Sequence, residues 1–136
     1  GEVIGVIPHG LLVKEVADLQ VKDLRVVDSM HERKALMADL ADAFIAMPGG
    51  YGTFEEFCEI LTWTQLGIQR KPCGLLNVAG YYDPLVALVE HGVEEGFLRQ
   101  QHRDSLIVDT DPARLLTALR AFTPVFTAKW IERDQR

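Results

Sequence analysis

Short apolar runs alternate with stretches whose apolar residues recur at helical spacing. Val3 to Ile7 predicts a buried strand stopped by Pro8. Leu24 to Val27 predicts a second strand. Asp28-Ser29 then introduce a helix from Met30 to about Ala41, and Ser29-Met30-His31-Glu32 has the S-x-x-E form of a capping box. Ala43 to Met47 predicts a third strand, followed by a glycine-rich loop and a helix from Thr53 to about Leu66. Gly67 supplies a helix stop, and Pro72 bars continuation. Gly74 to Val78 predicts a fourth strand, Pro84 to Glu90 a helix, and Leu106 to Val108 a last strand. Asp111-Pro112 then caps a helix through Leu119. Strands alternating with helices predict an α/β fold, a Rossmann-like open parallel sheet with helices on both faces. The expected organisation is a single nucleotide-binding domain over 1–122 and a C-terminal tail, 123–136, that packs back at Trp130 or frays.

Composition narrows the class. The 136 residues suffice for one domain with a core, and no repeat or low-complexity segment interrupts them. The net charge of −6, with no basic run, argues against nucleic acid as a partner. No apolar stretch has the length of a membrane span, and no secretory leader is visible. Cys58 and Cys73 lie in apolar contexts and read as two buried thiols, not a disulfide or a metal pair. Together these predict a cytoplasmic protein with no membrane partner.

The chemistry concentrates in Pro48-Gly49-Gly50-Tyr51-Gly52-Thr53-Phe54-Glu55-Glu56. Three glycines and a threonine stand where a strand turns into a helix, where backbone N–H groups and the helix dipole hold anions. No lysine precedes Thr53, so this is not a Walker loop. Glu55 occupies the third glycine position of a dinucleotide fingerprint, so that motif fails too. Phosphate binding in general stays open, against a bare glycine turn. Thr53-Phe54-Glu55-Glu56 also has capping-box form, with Thr53 at N-cap and Glu56 at N3. Local sequence therefore leaves Glu56 between cap and catalyst. Carboxylates beside an anion site are tolerated when they handle another part of the ligand, such as a sugar hydroxyl or a reacting centre.

A second constellation is Met30-His31-Glu32-Arg33-Lys34. On a helix, Met30, Arg33 and Lys34 share a face. The helix follows a strand, so its start is expected on the sheet edge where open α/β folds bind ligands. Arg33 suits a carboxylate, phosphate or sugar oxygen. The competing reading is a solvated amphipathic helix, favoured for His31 and Lys34.

Taken as a set, these two motifs resemble the Lonely Guy (LOG) family, cytokinin riboside 5′-monophosphate phosphoribohydrolases formerly described as lysine decarboxylases. The likeness continues in Val6-Ile7-Pro8, Trp63-Thr64-Gln65-Leu66-Gly67-Ile68, Lys71-Pro72, Leu75-Leu76-Asn77, Gly80-Tyr81-Tyr82 and Glu95-Gly96-Phe97. The resemblance implies hydrolysis of the N-glycosidic bond of an adenosine 5′-monophosphate, often N6-prenylated, to free base and ribose 5-phosphate. It implies Arg33 and Glu56 as the catalytic pair. Gly49, Gly50, Gly52 and Thr53 become the phosphate cradle. Met30, Lys34 and Glu55 become substrate-binding residues. It implies no cofactor, no metal, and a small-molecule nucleotide as partner.

The resemblance also implies a homodimer, for which Trp63 and Leu66 are candidate contacts or ordinary core. Gln69 stands where the family often has histidine. Relatives carry a further N-terminal part, so the chain is read as N-terminally shortened, by loss of that part or naturally. The alternative function is a non-catalytic nucleotide-binding module of the same fold, and a third reading makes the glycine loop only a turn.

Overall fold

The computed structural model describes residues 1–12 and 21–124. The expected tail contact at Trp130 lies outside them. Chain contacts divide the molecule into two compact units, Gly1–Ala41 and Asp42–Arg136.

In the first unit, β1 (Ile4–Pro8) leads into a single helical turn, α1 (His9–Leu12), and pairs in parallel with β2 (Asp23–Val27). The register sets Val6 against Arg25 and Ile7 against Val26. Helix α2 (Met30–Leu40) follows and packs on both strands. Among its described residues, Ile7 and Pro8 are buried. Gly5 earns its place by close approach: a β-carbon there would lie 2.8 Å from Leu24 Cδ1.

The second unit has a parallel three-stranded sheet in the order β3 (Phe44–Ala46), β4 (Cys73–Leu76), β5 (Leu106–Asp109). The central strand is buried at Cys73, Gly74 and Leu75, as an apolar run covered by helices should be. Gly74 lets α6 (Pro112–Ala121) sit close, since a β-carbon would come within 2.9 Å of Leu115 Cδ1. Leu115 and Leu119 fill that contact, and Phe57 and Ile60 of α3 (Tyr51–Leu66) are buried as well. Helix α4 (Asp83–Glu94) packs against α5 (Gln100–Asp104), which in turn touches β5.

Among the described residues the five strands fall where the apolar runs predict them, within a residue or two, and every pairing is parallel. Gly67 ends α3 in the left-handed conformation (φ 73°), and Asp111 caps α6 by accepting from Arg114 N–H at 2.8 Å. Helix α4 runs four residues beyond the expected Glu90, and α1 and α5 were not foreseen. None of the described helices is long and apolar enough to cross a membrane.

Candidate functional site

The site residues fall into two groups, one in each unit. In the second unit, β3 ends at Ala46 and the chain enters Met47-Pro48-Gly49-Gly50 before α3 begins at Tyr51. Gly50 is the N-cap residue, with extended backbone, and it offers no side chain to the helix start. Phe54 N–H donates to Gly50 O at 3.1 Å and closes the first turn.

This corrects the expected capping box. Thr53 sits at N3, not at N-cap, and Glu56 lies in the second turn, where it cannot cap. The first turn of α3 contains no acidic residue. The physical reason is that glycine also serves at N-cap, so the helix starts three residues earlier than a side-chain cap would mark it. The Thr53 side chain turns back against Gly49: a β-carbon on Gly49 would lie 2.9 Å from Thr53 Cβ and closer still to the hydroxyl. Gly49 is therefore required as glycine.

The first four N–H groups of a helix have no partner inside it. Here they belong to Gly50, Tyr51, Gly52 and Thr53. Glu55 is exposed and Glu56 half-buried. Both stand one turn past Gly52 along the helix.

Two tyrosines hold this loop from a distance in sequence. Tyr82 donates its hydroxyl to Met47 O at 2.5 Å, and Tyr81 donates to Gly49 O. Their rings meet edge to face, with centroids 5.1 Å apart. Tyr82 is buried; burial, then the neighbouring Tyr81, pushes its phenol above the usual range, so it stays a donor. Asn77, also buried, accepts from Tyr82 N–H at 2.7 Å and donates to Asp83 Oδ1 at 2.7 Å. Sequence reasoning gave these residues no task. Their only signal was a place in the family pattern.

In the first unit, the S-x-x-E box on α2 is real. Ser29 Oγ accepts from Glu32 N–H at 3.1 Å, and Glu32 Oε2 accepts from Asp28 N–H at 2.9 Å. Arg33 Nη1 lies 4.0 Å from Met30 Sδ, so these two share a face as the spacing requires. Arg33 and Lys34 are half-buried, whereas His31 is exposed, as a solvated residue would be.

Gln69 has a structural place. Its amide donates to Thr64 Oγ1 and accepts from Lys71 N–H at 2.6 Å, beside the Cys73 thiol. Cys73 is buried, and burial raises its pKa. Cys58 is exposed, contrary to the expected pair of buried thiols, because it falls on the outer side of α3. Leu66 is also exposed and Trp63 half-buried. Among the described residues, no group of three potential ligands is placed to hold a metal ion.

The chain is similar to proteins of known naming. It is 47% identical over 133 residues to cytokinin riboside 5′-monophosphate phosphoribohydrolase LOG of Oryza sativa subsp. japonica, covering 98% of this chain and 55% of that protein. It is 52% identical over 125 residues to the probable enzyme LOGL9 of the same species, covering 92% of this chain and 55% of the relative. Identity to LOG7 of Arabidopsis thaliana is 45% over 138 residues, covering 98% and 64%. The chain thus spans about half to two thirds of the length of these curated relatives. A family model described as "Possible lysine decarboxylase" matches residues 1–119. With that match over most of its length, the chain belongs to the Lonely Guy (LOG) family.

Proposed function

We propose that this chain carries the phosphoribohydrolase site: it binds a purine nucleoside 5′-monophosphate and hydrolyses its N-glycosidic bond. The observation that supports this best is the start of α3. Its N-cap is a glycine without a side-chain cap, and two carboxylates stand one turn beyond. Gly49, Gly50, Gly52 and Thr53 hold the 5′-phosphate with first-turn amides and the threonine hydroxyl. Glu56 reaches the ribose.

Breaking the bond between C1′ and the base nitrogen develops positive charge on the ribose ring. The Glu56 carboxylate stabilises that charge and takes a proton from the attacking water. The water oxygen bonds to C1′, the bonding electrons leave with the base, and a proton completes the free base. Arg33 orients the ribose. Met30, Lys34 and Glu55 contact the nucleotide. The phosphate, remote from the reacting bond, supplies binding energy that fixes the sugar. The relatives' names give cytokinin riboside 5′-monophosphate, so the proposed substrate is AMP or its N6-substituted form.

The family model's description names a different chemistry. Amino-acid decarboxylation with pyridoxal phosphate draws on a Schiff-base lysine and a partner for the ring nitrogen. An amide cradle with two carboxylates suits a phosphate and a glycosyl cation better. We place the protein in the cytoplasm as a homodimer using no cofactor; exposed Leu66 and half-buried Trp63 on α3 are the proposed dimer contacts.

The test is release of free base from AMP and from N6-isopentenyl-AMP. Base and ribose 5-phosphate in equal amounts are expected. Saturable AMP binding without base release would make this a non-catalytic nucleotide-binding module. A folded chain giving neither binding nor base would remove the phosphate reading.

A further inference from the structure

The amides at the start of α3 bind a phosphate only while they point at it. The link between Gly49 and Gly50 is the weak point. Glycine on both sides leaves this peptide plane free of the Cβ clashes that fix others. Rotated by half a turn, it would present a carbonyl where an N–H is needed.

Tyr81 acts on this plane. Its hydroxyl donates to Gly49 O, and its ring is seated edge-on against buried Tyr82. In a trans peptide the carbonyl and the following N–H point in opposite directions. No described peptide is cis. Holding Gly49 O therefore aims Gly50 N–H the other way, and Gly50 N–H is one of the four amides left over at the helix start.

The turn that delivers the tyrosine is itself strained. Ala79 has φ 51° and ψ 31°, a left-handed conformation that a residue with a Cβ rarely adopts, and Gly80 follows at φ 74°. Asn77, bonded to Tyr82 N–H and to Asp83, anchors this turn to the start of α4.

We propose that Tyr81 is a positioning residue for phosphate recognition, locking the Gly49–Gly50 peptide plane so that Gly50 N–H faces the anion. The proposal rests on the phosphate reading above. Tyr82 has a different role. Its hydroxyl holds Met47 O, and the next residue is Pro48, which has no N–H to aim. Tyr82 anchors the loop; Tyr81 sets the direction of its dipole.

The two tyrosines supply the test. Tyr81→Phe keeps the ring and removes only the lock. For AMP, Kd and KM should rise about five- to tenfold, the worth of one hydrogen bond, with kcat changed less. Binding of adenosine, which has no phosphate, should stay as in the unaltered chain. The order parameter of the Gly50 N–H vector should fall without any ligand, as the plane loses its lock. Tyr82→Phe should lower Tm without the selective loss toward AMP. Equal AMP affinity and an equal Gly50 order parameter in Tyr81→Phe would overturn the proposal, as would equal losses for AMP and adenosine. An unaltered chain that binds no AMP would overturn the phosphate role; the Gly50 order parameter would still judge the lock by itself.

Discussion

Two helices of this protein follow parallel strands and carry the same local pattern, a hydroxyl residue with glutamate three positions on. They use it in opposite ways. On α2 the pattern is a cap: Ser29 Oγ takes the Glu32 N–H of the first turn, and Glu32 Oε2 reaches back to Asp28 N–H just before the cap. On α3 the helix has already begun at Tyr51, under a glycine N-cap, when Thr53 and Glu56 arrive. The first helix start closes on its own side chains. The second keeps its cap position free of side chains, and its carboxylates stand a turn further along. A helix whose first amides serve only the fold uses the first arrangement. One that offers amides to a ligand uses the second.

The comparison can be broken at several points. Glu56→Gln should have the largest effect, because Glu56 is read as catalyst and not as cap. Base release should fall about 10²- to 10⁴-fold, the usual contribution of a general base. Tm should stay within a few degrees, as for most substitutions outside the core. Full activity in this variant would return Glu56 to a structural role.

A pair of smaller changes sharpens the contrast. Ser29→Ala removes a true N-cap and should cost about 1 kcal/mol in a denaturant titration. Thr53→Ala removes no cap, so it should cost much less stability and instead weaken AMP binding. Equal stability losses at the two sites would contradict the assigned helix starts.

Much of this fold was legible in the sequence because its signals are local. Apolar runs marked the strands, Ser29 and Asp111 marked helix starts, and Gly67 marked the helix end that it makes at φ 73°. The start of α3 was misread for the same reason. A glycine N-cap leaves no side-chain signature, so the nearest hydroxyl residue, Thr53, stands out in its place. Cys58 was misplaced because an apolar neighbourhood in sequence does not say which side of a helix faces solvent. The tyrosine contacts were beyond local reading altogether: 32 residues separate Tyr81 from Gly49, and 35 separate Tyr82 from Met47. Such pairs appear only once β3 and β4 lie side by side.

The central claim is that α3 keeps its first amides for an anion while α2 does not. The most direct measurement follows backbone amide resonances while inorganic phosphate is added to the chain. Amides of Gly50, Tyr51, Gly52 and Thr53 should shift together and saturate, while that of Glu32, bonded to Ser29 Oγ, should stay in place. Unmoved resonances at Gly50 to Thr53, or equal shifts at both helix starts, would contradict the account.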